Sequence, residues 1–182
     1  MSQHDISKYE RRWAFFHPFA AFKIKGRLKQ AMVIYQEVKS SKQLDDFESG
    51  GTLDAFRHSF SMAYLGQKIN IKKLRKLGIA HEKGNKLSFE KNKLENGDRP
   101  DSLACEMDLR NNELGFLIGS ANKKLAINEL RLKMLAEIKS GNAWILKRND
   151  KKEYISCNNE PVLINNYANK WFLPKCLVKS NQ

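Results

Sequence analysis

The stretch GGTLDAFRHSFSMAYLG, residues 50–66, decides how the rest of the chain reads. Leu53, Phe56, Phe60, Ala63 and Tyr64 recur at helical spacing, which predicts a helix starting after Gly51 with Thr52 as its N-cap. Yet Asp54, Arg57 and His58 crowd into little more than one turn of it. Asp54 falls in the first turn, where exposed N–H groups and the helix dipole favour negative charge, and it shares a face with His58 four residues on. A core helix with that much polar chemistry on one face either buries a hydrogen-bonded network or holds a reactive centre.

Upstream, WAFFHPFAAF (13–22) predicts a short aromatic helix interrupted near Pro18, with Arg11, Arg12, Lys23 and Lys25 beside it. Such a segment either caps the core or meets a membrane surface. Leu28, Met32 and Tyr35 then mark a helix over 27–38, followed by the polar connection KSSKQLDDFESGG. Downstream, Lys72–Glu82 reads as a helix ending near Gly84. The polar stretch from Gly84 to Asp101 reads as a disordered excursion or a cover over a site. Asp101 or Ser102 caps a further helix to about Ala121, and Lys123–Lys139 supplies another. AWILKR, the NDKK turn and EYISC predict a small hairpin over Ala143–Cys157, with PVLI and WFLPKCLV as short strands or irregular packing. The expected fold is mainly α: a single orthogonal or irregular helical bundle with a small C-terminal β-hairpin. One domain is expected over 1–182, with a helical core at 11–140 and a β-containing appendage at 143–182.

Composition narrows the partners. A formal charge of +13 points to something acidic, either an anionic small molecule or a membrane surface. The lysines are dispersed and no nucleic-acid reading motif or zinc-finger spacing occurs, so dedicated nucleic acid binding is not expected. No run approaches the roughly 20 apolar residues of a membrane span. Cys105, Cys157 and Cys176 are odd in number and far apart, which predicts neither a disulfide framework nor a zinc site but a reducing, cytoplasmic setting. The N-terminus lacks a clean signal peptide, and peripheral membrane association and non-classical export stay open.

Two further islands complete the chemistry: AHE at 80–82 and MDLRNNELG at 107–115. Asn111 and Asn112 are poor interior helix residues because their amides compete for backbone hydrogen bonds, and Gly115 costs about 1 kcal/mol against Ala. Close approach of another helix would offset that loss. If three helices converge, His58 and Asp108 form a centre in which the carboxylate orients the imidazole and the other ring nitrogen deprotonates water. Arg57 then holds an anion and Asn112 orients a water or substrate oxygen. His81 and Glu82 are the expected holders of a divalent metal, though HExxH fails because Asn85 stands in the second histidine's place. Asp54, Asn111 and Gly115 support this arrangement. The expected function is a small hydrolase of an ester or phosphoester in an anionic or lipid substrate. The alternative is a noncatalytic helical structural or interaction protein with a buried polar network and a basic partner-binding face.

The order of these islands resembles an uncharacterised bacterial helical domain family. Its members share an HP-containing segment (here FFHPFAAFKIKG, 15–26), a glycine-led AFRH helix, an AHE and a DxxNNxxG helix, over roughly 13–119 of this chain. The resemblance implies that His58, His81, Glu82, Asp108 and Asn112 work together, without naming a reaction. RHSFSMAY is loosely similar to the active helix of prokaryotic secreted phospholipases A2, in which a histidine works with a neighbouring aspartate and calcium. Here Ser59 stands where that pattern has Asp, and no calcium loop is evident.

Overall fold

In a computed structural model that describes residues 6–92, 99–167 and 169–182, six helices form an open bundle with a small antiparallel β-hairpin at the C-terminal end. Helix α1 (Lys8–Phe16) opens on a capping box, in which Ser7 Oγ accepts from Glu10 N and Glu10 Oε2 accepts from Ser7 N. Helix α2 runs unbroken over Pro18–Ser41. The predicted interruption therefore falls at His17, and the 27–38 helix is the continuation of the aromatic one. Pro18 occupies the first helical position, where a missing N–H costs nothing.

Helix α3 (Thr52–Gly66) starts as expected, but its N-cap is Gly51 and not Thr52. The Asp45 carboxylate takes over the capping role, accepting from Thr52 N (2.6 Å) and Leu53 N (3.1 Å). Helix α4 (Ile71–Glu90) passes straight through Gly84, where a stop was expected. That glycine serves packing instead: a Cβ there would lie 2.8 Å from the Ser7 side chain at the start of α1. The expected excursion or cover between Gly84 and Asp101 is thus confined to 91–100, of which 93–98 lie outside the described residues. Helix α5 (Ser102–Ala121) is capped by Asp101, and α6 spans Ile127–Lys139.

Strand β1 (Trp144–Leu146) pairs antiparallel with β2 (Leu177–Lys179), in the register Ile145 opposite Val178. The local partner expected from EYISC makes only isolated bridges, Arg148 with Tyr154 and Ile155 with Pro161. Cys157 and Cys176 form a disulfide, where the spacing of the cysteines had pointed to no disulfide framework and a reducing setting. A lone pair nineteen residues apart has no spacing signature; the fold brings the two together because Cys176 N donates to Ile155 O. Cys105 is buried and lies outside the disulfide. Among the described residues no helix is long and apolar enough to cross a membrane.

Helix α3 is the centre of the bundle. Phe56 and Phe60, both fully buried and stacked 5.0 Å apart, join Tyr35 of α2 with Leu130 and Met134 of α6. On α5 the glycines do what the sequence required of them. A Cβ on Gly115 would run into the backbone of Ser59 and Ala63, and one on Gly119 into the backbone of Ala63. The two helices therefore touch backbone to backbone over one turn, and this brings Asp108 alongside His58.

Candidate metal centre

Asp54 and His58 lie one turn apart on α3, and α5 adds Asp108. One ligand atom from each of the three lies within 4.8 Å of the others. His58 Nε2 sits 3.3 Å from Asp108 Oδ1 and 3.5 Å from Asp54 Oδ1. Metal–ligand bonds of about 2.0–2.2 Å set neighbouring ligand atoms of a tetrahedral shell roughly 3.3–3.6 Å apart. The two imidazole–carboxylate spacings match such a shell, and one imidazole nitrogen with two carboxylate oxygens is a donor set suited to a borderline or hard divalent ion. Asp54 and Asp108 are buried (3% and 5% exposed), while the His58 side chain keeps 11% of its surface. Of the three side chains the imidazole is the most accessible.

Local packing fixes each member. Asp54 spends Oδ2 on the Gly50 amide (2.8 Å) at the head of α3 and Oδ1 on Arg57, whose Nη2 approaches to 2.6 Å. The same Nη2 lies 3.0 Å from His58 Nε2. One guanidinium thus faces both a carboxylate and an imidazole, and it offsets the charge that two buried carboxylates bring together. Asn112, one turn beyond Asp108, is 2% exposed, and its Oδ1 has no hydrogen-bond partner among the described residues. An orphaned buried acceptor is uncommon and asks for a reason. Gly78 of α4 makes room for it, since a Cβ there would lie 3.1 Å from Asn112 Nδ2.

The AHE island stands beside the cluster without being part of it. The His81 ring is centred 6.5 Å from that of His58, and His81 Nδ1 lies 3.1 Å from Glu10 Oε1. Glu82 is buried and accepts from Asn85 Nδ2 at 2.9 Å. The pair read from sequence as metal holders is thus engaged with α1 and with its own helix, whereas the metal-competent trio contains Asp54, read only as support. Asn111 leaves the site altogether. Its amide donates to Trp144 O and accepts from Trp144 N, both at 2.9 Å, and so pins β1 to α5. Ser59 is turned into the core, its hydroxyl donating to Ala55 O at 2.6 Å. Glu10 is the member that sequence reasoning missed, although the S-x-x-E box at Ser7 marks it as a helix-start residue. Burial tends to raise its carboxyl pKa, but the hydrogen bond and charge of His81, with the Ser7 hydroxyl and amide, outweigh that and hold it down at about 2.

The trio, from α3 and α5, forms a buried His/Asp cluster capable of coordinating a metal. No curated protein and no solved structure matches the chain. A family model does match, and its span takes in all three metal-competent residues, Asn112 and His81 but stops before β1. The chain belongs to the family described as Domain of unknown function (DUF6973), whose model matches residues 11–142.

Proposed function

We propose that the chain is a metal-assisted hydrolase of esters or phosphoesters in anionic substrates. The observation that carries this reading is the spacing of His58 Nε2 and the two aspartate oxygens, which is that of a ligand shell. A divalent ion held there would supply Lewis-acid polarisation and a more acidic water at neutral pH. The roles expected for the two histidines exchange. His58 becomes a ligand through Nε2, and His81 the base, its Nδ1–H directed at Glu10 and its Nε2 accepting the proton of the attacking water. That proton then passes to the leaving oxygen, so ester and water give acid and alcohol. Arg57 binds an anionic oxygen of the substrate, and Asn112 Oδ1 accepts from the water or from a substrate hydroxyl. Glu82 holds the α4 face through Asn85. The surrounding positive charge suits an anionic substrate. The likeness to prokaryotic secreted phospholipases A2 adds a lipid ester to that class, with the reservation that Ser59 faces the core. The Cys157–Cys176 bond supports work in an oxidising compartment in place of the cytoplasm.

A second reading has its own observation. Arg57 Nη2, 2.6 Å from Asp54 and 3.0 Å from His58, itself supplies a cation to the cluster. In that version the centre works without metal and His58 is the base beside Asp108. Metal analysis of the purified chain, with a screen of carboxylic esters, phosphodiesters and phosphomonoesters before and after chelation, separates the two. Turnover that chelation abolishes and Zn²⁺ or Mn²⁺ restores supports the first. Turnover indifferent to chelation supports the second. No metal and no turnover, with a lowered melting temperature for His58→Ala, leaves a structural polar network.

A further inference from the structure

We infer that α1 and the first turns of α2 form a docking surface for an anionic lipid bilayer. The inward side of these helices is ordinary core: Trp13, Ala20 and Ile24 are buried against Leu65, Leu74 and Phe116. The outward side is not. Phe15, Phe16, Phe19 and Phe22 are 79%, 63%, 86% and 82% exposed. Aromatic side chains present 150–250 Å² each, so these four leave on the order of 600 Å² of ring in water, the upper end of what a whole monomer shows as its largest apolar patch. Phe15 and Phe16 stack edge to face at 5.4 Å around the break at His17, and Phe19 and Phe22 share one face of α2.

Charge selects the occupant. Between Lys8 and Lys29 the chain carries seven lysines and arginines and one acid, Glu10. That acid is turned inward to His81. Arg11, Arg12, Lys23, Lys25 and Lys29 are all exposed beside the phenylalanines. Phenyl rings without polar atoms, rimmed by cations, suit the acyl–headgroup boundary of an anionic leaflet, where the rings enter and the cations meet phosphate. A second copy of the chain fits poorly, because a two-fold contact sets the same cations against each other. The surface rests on exposure and charge and is independent of the chemistry proposed for the Asp54–His58–Asp108 cluster. The two are nonetheless close: Glu10, on the inner side of α1, holds His81, so a docked chain would present its cluster one helix away from the headgroups.

Vesicle flotation of the full chain tests this, with phosphatidylcholine alone and with about 30% phosphatidylglycerol added. The expected result is co-flotation with the anionic vesicles, weakened at least about tenfold by Phe19→Ser/Phe22→Ser, by Arg12→Glu/Lys23→Glu, or by about 0.5 M salt. These residues are exposed, so both double variants should keep the wild-type melting temperature, and a lowered one calls for Phe22→Ser alone. Absence of vesicle binding, or binding that the phenylalanine variants leave unchanged, overturns the inference. So does equal binding to neutral vesicles. Concentration-dependent dimers that Phe19→Ser/Phe22→Ser abolishes, without vesicle binding, would assign the patch to a second copy and overturn it as well.

Discussion

Glu10 surrenders its proton far below the ordinary carboxyl value of 4.5, at about 2, because His81 and Ser7 hold the anion against the opposing effect of burial. A carboxyl depressed in the folded state adds stability that is fully present above its unfolded value and is lost as pH falls through the folded one. Wild-type melting temperature should therefore fall between about pH 4.5 and pH 2, and Glu10→Gln should be flatter over that window. A thermal melt series at fixed ionic strength reads the difference. Parallel slopes for the two proteins would mean that Glu10 gains nothing from His81. Elsewhere at this scale, Tyr35 is pushed upward by burial and by its bond to Glu48, and so stays a donor in the core at any ordinary pH.

At the scale of elements the decisive contact is the α3–α5 crossing. Gly115→Ala gains helix propensity of about 1 kcal/mol, yet its methyl would strike the Ser59 and Ala63 backbones. The clash should win, with a net loss of about 2 kcal/mol in urea unfolding. Gly26→Ala in α2 makes the opposite case. Nothing lies within 4 Å of the added Cβ, so this change should gain roughly 0.5–1 kcal/mol. The same two kinds of glycine show what the sequence could and could not tell. Gly115 was legible as a packing residue because it sits in a helix beside two asparagines that also need a reason. Gly84 read as a stop because a glycine after a helical run usually is one, and only the Ser7 side chain, 77 residues away, explains why it is not. Likewise the shared face of Asp54 and His58 was readable from helical spacing, whereas their meeting with Asp108 on another helix was a supposition. Which imidazole would face the carboxylates was not readable, because it depends on the azimuth of α4 relative to α5, and spacing along one helix carries no such information.

For the whole molecule, the question is how the C-terminal forty residues relate to the bundle, and we propose that they are an appendage clamped onto α5. They are held at several points: Asn111 on Trp144, the buried Lys175–Asp101 pair at 2.7 Å, and a cluster of Met107 with Leu146, Tyr154 and Val162. The Cys157–Cys176 bond closes a loop within that tail, and loops of this length are worth about 3 kcal/mol. Reduction should lower the melting temperature and speed amide exchange between 157 and 176 while β1 and the six helices keep their protection. Simultaneous loss of protection in α5 would show that tail and bundle are one unit.

Calorimetric titration of Zn²⁺ and Mn²⁺ into the chain and into Asp108→Asn decides whether Asp54, His58 and Asp108 hold a divalent ion. One site is expected in the wild type, weakened at least about a hundredfold in the variant, whose melting temperature without metal stays near or above wild type because one of two crowded carboxylate charges is gone. Equal affinities, or no binding by the wild type together with a destabilised variant, would contradict it.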